Sequence, residues 1–329
     1  MRDSIFHRIL VAIVDPQEAM NDAVRRAREL ARHTGARIEL FNAIPSAISE
    51  GVVHAQAEHF TRLEAAQNSR GLERMANRMR REGIVVDTRV QTGAPVHEAI
   101  LREVRNTSAD LLVVQARKHK TLARLLLTQT DFELIRHCPV PLLIVKGRAA
   151  WSRPTILAAL DPYHTHHKPH ALDGEIIEAA RAMATIFHGS VLAAHVYRPL
   201  GGYMTDLWIG SSAPGATAAQ EKTHGGEVRK RFSEALSHYG IAKGKSRLVC
   251  GDPATELPYI AHSTRARLVV MGAVSRSGLK RVFIGNTAER VLDSLRCDVL
   301  VVKGTVSMRA QLPSPRQRAR VASALQLKR

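Results

Sequence analysis

The 329-residue chain is long enough for two domains of ordinary size, and its apolar fraction of 45% allows each domain a hydrophobic core. Only 4% of the residues are aromatic, so these cores must consist mainly of Val, Leu, Ile and Ala. The net charge of +18 allows attraction to anionic partners but identifies none, and no apolar run approaches the length of a membrane span.

The amino-terminal half alternates predicted strands with predicted helices. The strands are predicted at 8–14, 36–43, 84–90, 110–115 and 140–146. The helices are predicted at about 17–34, 52–82, 93–107 and 119–137. Strands that alternate with helices favour parallel βαβ units, and right-handed crossovers then give a doubly wound sheet.

Three stretches of this half recur later in the chain, in the same order. HRILVAIVDP, from His7, matches RPTILAALDP, from Arg153, and VQTGAPVHEAI, from Val90, matches LVCGDPATELP, from Leu248. The stretch from Asp110 to Lys146 matches the one from Arg267 to Lys303 at an offset of about 157 residues. Three ordered matches predict a duplicated domain. We expect the two domains at 1–148 and 152–305.

Two segments fall outside the repeated pattern. An irregular insertion is predicted from Pro199 to Gly226, and a loop of that length is typically mobile or functional. The tail at 306–329 has basic residues and no acidic ones, and it is predicted to be disordered.

The stretch from Arg267 to Lys303 is predicted to form a strand, a Gly-rich loop, a helix and a second strand. Such a layout can surround a phosphate with backbone N–H groups and a helix N-terminus. Asp161 follows the apolar run 156–160, as Asp15 follows 9–14, and so lies where open α/β sheets bind ligands.

These residues resemble the universal stress protein (UspA) family, and in particular its tandem, UspE-type members. Nucleotide-binding members of the family carry Gly-x2-Gly-x9-Gly-(Ser/Thr) after the fourth strand and an Asp after the first. The corresponding residues here are Gly272, Ser275, Gly285 and Asn286, so that Ser replaces the second Gly and Asn replaces the last residue, with Thr287 next to it.

The resemblance implies two Rossmann-like domains, similar to adenine nucleotide alpha hydrolases, each with a five-stranded parallel sheet of order 3-2-1-4-5. That order brings the Asp and the Gly-rich loop to one crevice. ATP or AMP in the second domain is the implied cofactor. Its candidate contacts are Asp161, Met271, Gly272, Ser275, Arg276, Gly285, Asn286 and Thr287. Two structural alternatives stay open, namely that Asn286 or Thr287 only caps a helix and that Asp161 only forms an Asp-Pro turn.

The first half departs further from the pattern. Gln115, Lys118 and Thr128 replace Gly272, Ser275 and Gly285, and Gln129 and Thr130 follow. Side chains at all three positions are expected to crowd a phosphate. The first half is therefore predicted not to bind nucleotide in the manner of the family.

No catalytic or metal-binding constellation is present in the sequence. It has no G-x-S-x-G elbow, HExxH or complete Walker A motif, which predicts a protein without enzymatic turnover. A histidine run is interpreted as an exposed turn rather than a metal site. Its members are His164, His166, His167 and His170.

Cys138, Cys250 and Cys297 cannot all pair within the chain and show no zinc-binding spacing. They predict thiols in a reducing, cytoplasmic setting. The amino terminus lacks the long apolar stretch of a signal peptide, which favours the same location.

The resemblance implies a role in the response to stress. We expect the two domains to pair through their sheet-edge strands or helices, so that one chain imitates the homodimer of one-domain relatives. Association of two chains into a homodimer stays open. A second hypothesis is an interaction module that binds another small ligand in the crevice or at 199–226. A third is non-specific binding of nucleic acid or another polyanion, driven by the net charge of +18. The stripe Arg70, Arg74, Arg78 and Arg81 could meet phosphates or be only a solvated helix face, and no motif for sequence-specific DNA binding accompanies it.

Overall fold

The computed structural model describes residues 6–18, 21–45, 54–118, 125–162, 171–200, 216–272 and 285–303. The strands of the first half are β1 Arg8–Ala12, β2 Arg37–Ile44, β3 Val86–Thr92, β4 Leu111–Gln115, β5 Arg117–Lys118, β6 Leu125–Leu126 and β7 Leu142–Val145. Its helices are α1 Asp22–Thr34, α2 His54–Arg80, α3 Val96–Asn106 and α4 Gln129–His137.

The second half repeats this alternation. Its strands are β8 Thr155–Ala159, β9 Ser190–Tyr197, β10 Ser246–Cys250, β11 Ala266–Gly272 and β12 Asp298–Val302. Its helices are α5 Ala171–Ile186, α6 Ala218–His238, α7 Pro253–Ser263 and α8 Asn286–Ser294. None of the described helices combines the length and the apolar composition that crossing a membrane requires.

The ten long strands form one continuous sheet in the order β10-β9-β8-β11-β12-β7-β4-β1-β2-β3. Each half therefore has the predicted order 3-2-1-4-5, and all pairs within a half are parallel. The two sheets are not separate, however, because β7 and β12 pair antiparallel, with Leu143 opposite Leu300. The last strand of each half covers the exposed edge of the other, which removes two edges that would be open to unwanted pairing.

The sheet is buried on both faces, as its nearly unbroken apolar strands predict. On one face α1, α2, α5 and α6 pack over side chains such as Val113 and Val270. On the other face α3, α4, α7 and α8 pack over side chains such as Leu112 and Val269. Each layer runs without interruption across the β7–β12 boundary, so the two halves share their hydrophobic cores.

Local capping explains where two predicted boundaries were wrong. The predicted helix at 119–137 begins only at Gln129, because the Thr128 hydroxyl accepts from the Asp131 N–H while the Asp131 carboxylate accepts from the Thr128 N–H. Ahead of it, β5 and β6 form a short antiparallel pair. Part of the predicted irregular insertion is helical, because Thr217 and Gln220 form the same box at the start of α6.

The two halves are also joined by a buried ion pair. Arg26 of α1 donates from Nε to Oδ2 of Asp298, at the start of β12, over 3.0 Å. Its Nη2 lies 2.8 Å from the same oxygen, and both side chains are 1% exposed. The other carboxylate oxygen of Asp298 accepts from the N–H groups of Lys146 and Gly147, each at 2.8 Å. The Arg26 guanidinium lies 4.0 Å from the ring centroid of Trp151, in the connector between the halves.

A reciprocal pair of lysines completes this junction. Lys146 follows β7 and donates from Nζ to the carbonyls of Leu292 and Leu295 at the end of α8. Lys303 follows β12 and donates from Nζ to the carbonyls of Arg136 and Cys138 at the end of α4, both at 2.7 Å. Each lysine thus satisfies carbonyls that the helix of the other half leaves unpaired.

Candidate functional site

The two predicted anchors of the crevice follow neighbouring strands at the same edge of the sheet. β8 and β11 are paired with Ala158 opposite Val270. Continuing this register places Leu160 level with Gly272, and Asp161 is the next residue beyond the edge. The described geometry therefore brings Asp161 close to Met271 and Gly272.

Asp161 is exposed, and its N–H donates to Oδ1 of Asp173 on α5 over 3.1 Å. This contact fixes the backbone where the strand ends. Asp173 had no signal in the sequence, because a carboxylate early in a helix is common and has no fixed spacing to the strand before it.

α8, which follows β11 in the chain, begins at this edge of the sheet. Gly285 occupies the N-cap with φ −64° and ψ 143°, and Asn286 and Thr287 form the first turn, all three exposed. The open alternative that Asn286 or Thr287 caps this helix gains no support, because the N-cap is Gly285, which has no side chain. Among the residues that the structure describes, no side chain accepts from the N–H groups of this turn. Unpaired N–H groups at a helix start attract anions.

Gly272 has a different neighbour from the one that the motif predicts. A Cβ at this position would lie 2.6 Å from Cδ2 of Leu172, so the Leu172 side chain packs directly on the glycine. Gly272 therefore allows α5 to approach the strand end. A ligand that touched the Gly272 backbone would require Leu172 to change rotamer.

Ser275 and Arg276 belong to the segment 273–284, outside the described residues. The same holds for the predicted histidine turn, for most of the insertion at 199–226 and for the tail at 306–329. Among the described residues, no group of three His, Cys, Asp or Glu side chains could hold a metal ion.

In the first half the equivalent positions are filled by side chains. Gln115 accepts through Oε1 from the N–H of Asp22 over 2.8 Å, so it occupies the start of α1. Thr128 and Asp131 satisfy the start of α4, and burial raises the pKa of Asp131 while the Thr128 hydrogen bonds oppose that shift. N–H groups at the starts of α1 and α4, which could otherwise meet a phosphate, therefore already donate to side chains of this half.

The arrangement defines a class of protein: a duplicated doubly wound α/β protein whose second half has an uncapped helix start and a strand-end aspartate at the carboxyl edge of its sheet. The sequence profile described as the universal stress protein family matches residues 5–146 and 155–303. The chain therefore belongs to the universal stress protein family, in its tandem form.

Individual relatives agree with this assignment. Universal stress protein E of Escherichia coli (strain K12) is 27% identical over 308 residues, covering 89% of this chain and 93% of the relative. The crystal structure of a functionally unknown protein from Pseudomonas aeruginosa PAO1 is 25% identical with a TM-score of 0.69, covering 91% of this chain and 92% of that one. A universal stress protein from Archaeoglobus fulgidus has the same fold at 15% identity, with a TM-score of 0.63 and coverage of 92% and 99%.

Proposed function

We propose that this tandem universal stress protein acts in the cytoplasmic response to stress by binding an adenine nucleotide, ATP or AMP, in its second half, without catalytic turnover. The single observation that carries the proposal is the contrast between two equivalent helices. α4 begins with a complete capping box, whereas α8 begins at a bare glycine.

The remaining contacts follow from this contrast. A phosphate chain placed at Gly285 would accept from the N–H groups of Asn286 and Thr287 and from the hydroxyl of Thr287. Asp161, across the crevice, is suited to hydrogen-bond a ribose hydroxyl or a base edge. The first half serves as a structural partner, because Gln115 and Thr128 occupy the corresponding donors and space. The proposed domains end in the connector around Trp151, at 1–148 and 152–305.

Gly285→Asp is expected to weaken ATP and AMP binding by about tenfold or more, because the new carboxylate caps α8 and repels phosphate. The protein should remain folded, since a Cβ at Gly285 meets no atom of the described residues within 4 Å and its φ of −64° suits any residue. Affinity is measured by isothermal titration calorimetry on protein freed of bound nucleotide, and folding by thermal melting.

Thr128→Asp is the matched control. It makes the same change of net charge at the equivalent position of the first half, where the helix is already capped, and it should leave ATP affinity unchanged. Equal weakening by both variants, or parent protein that binds neither ATP nor AMP at about millimolar concentration, would contradict the proposal. Mass spectrometry of small molecules released from purified protein identifies another ligand if one is present.

A further inference from the structure

A second recess lies at the other edge of the sheet, where the two halves meet. It has a volume of about 550 Å³, within the usual range for small-molecule sites. Its walls come from the connector, from the turn between α7 and β11, and from the turn between α8 and β12. Because this recess borders the amino ends of β11 and β12, it is separate from the crevice at their carboxyl ends. We call it the junction cleft.

Besides Arg26, which pairs with Asp298, three arginines line the cleft, namely Arg265, Arg267 and Arg296. All three are exposed, and none forms an ion pair or a side-chain hydrogen bond with any residue in the part of the chain that the structure describes. The carboxylate of Asp298 also borders the cleft, but Arg26 and the N–H groups of Lys146 and Gly147 already pair with it. The uncompensated charge of the walls is therefore positive.

The helices that border the cleft oppose this charge only in part. α7 and α8 both end here, and each carboxyl end carries roughly half a negative charge. Three guanidinium groups exceed that sum by about two charges. Trp151, Pro258 and Ala261 contribute apolar wall beside the arginines.

The internal repeat shows that the fold itself does not require these arginines. At the offset that aligns Asp110 with Arg267, the equivalents in the first half are Ser108, Asp110 and Pro139. Ser108 has the same left-handed backbone as Arg265, with φ of 49° and 53°. The turn is thus common to both halves, whereas the arginine triplet belongs to the second half alone.

We infer that the junction cleft is a binding site for a small anion with two or more phosphate groups. Guanidinium groups donate paired hydrogen bonds that match phosphate oxygens, and three from two adjacent turns can surround a short phosphate chain. The apolar wall at Trp151 suits an organic part attached to those phosphates. This site adds to the proposed nucleotide crevice and does not depend on it.

Inorganic tripolyphosphate is the probe, because it lacks the base and ribose that the crevice would recognise. Titration into the Gly285→Asp variant at low salt should show one site per chain. Replacing Arg265, Arg267 and Arg296 together by Ala should weaken binding by about tenfold or more. The corresponding triple Lys variant keeps the charge but loses the paired donors, so its affinity should fall between the two.

Arg70, Arg78 and Arg81, replaced together by Ala, provide the matched control, because they remove the same charge from a distant exposed surface. Equal weakening by both triple-Ala variants, or no weakening by the cleft variant, would overturn the inference. The inference would also be overturned if an oligonucleotide bound as tightly per phosphate as tripolyphosphate and lost its affinity when Arg265, Arg267 and Arg296 were replaced.

Folding is checked independently of binding. The three arginines lack partners among the described residues, so the cleft variant should melt close to the parent protein. Arg296→Glu, a single change in the turn after α8, should by itself reverse the local charge and weaken tripolyphosphate binding. In a Trp208→Phe background, Trp151 fluorescence should respond to tripolyphosphate in the parent cleft and not in the triple-Ala cleft.

Discussion

Replacing Asp298 by Ala is expected to lower the free energy of unfolding by about 3–5 kcal/mol. The substitution leaves the buried guanidinium of Arg26 without its partner across the junction, and both side chains are 1% exposed in the parent. It also removes the acceptor of the Lys146 and Gly147 N–H groups. Urea unfolding of the whole chain measures the loss.

Two further variants separate these contributions. Asp298→Asn keeps an oxygen for the two N–H groups and removes only the charge, so it should cost less than Asp298→Ala. Adding Arg26→Met to Asp298→Asn removes the buried cation that has lost its partner across the junction and keeps only Glu29 on its own helix. This should recover much of that cost, since a buried pair replaced by apolar groups is often neutral. A double variant as unstable as the sum of its singles would show that the ion pair is not the cause.

An exposed ion pair on α2 is the control. Arg62 and Glu58 lie 3.1 Å apart with side chains 79% and 68% exposed. Arg62→Ala should change the unfolding free energy by less than about 0.5 kcal/mol, because solvent screens such pairs. A loss of several kcal/mol at this position would mean that removing any arginine destabilises the chain.

The second large effect is a rise in stability between pH 7.5 and pH 9. Burial lowers the pKa of Lys146 and of Lys303 to about 8. Above that pH the folded protein binds fewer protons than the unfolded chain, whose lysines titrate near 10.4, so raising the pH favours the folded state. The expected gain is about 1 kcal/mol for each lysine over this window.

Lys146→Met and Lys303→Met should each lower the gain over this window by about 1 kcal/mol, and the double variant should lose the rise altogether. Urea unfolding at several pH values measures how the free energy of unfolding changes with pH. A substitution that costs the same stability at every pH does not alter that change. Cysteine thiols titrate near 8.5 in the unfolded chain, whereas burial raises the pKa of Cys138 to about 11 and of Cys297 to about 12. These two thiols therefore already oppose the lysines within this window and offset part of the gain. An exposed lysine, Lys243, replaced by Met, should leave the slope unchanged.

Some features of the candidate site could be predicted from the sequence, and others only from the structure. A glycine in a motif marks space beside the backbone, and the part of the chain that the structure describes leaves open space beside Gly285. The same inference does not hold in full at Gly272, where Leu172 of α5 takes the space. Whether a glycine faces solvent or a packed helix depends on contacts between distant elements, and no local pattern encodes them.

The sequence by itself determined the repeated α/β fold, because apolar strand runs, helical periodicity and the offset of the repeats are local or self-similar signals. The order 3-2-1-4-5 in each half followed from the family resemblance and is confirmed. These two results were enough to place Asp161 and Gly272 at one edge.

Only the tertiary structure decided how the halves join. Pairing of β7 with β12 uses main-chain groups that every strand edge presents, so no side-chain signal distinguishes it. α1 contains four arginines, and its sequence does not reveal that Arg26 alone is buried, since burial depends on the second half packing against it. The junction cleft exists for the same reason: its walls are adjacent only once the two edge strands have paired.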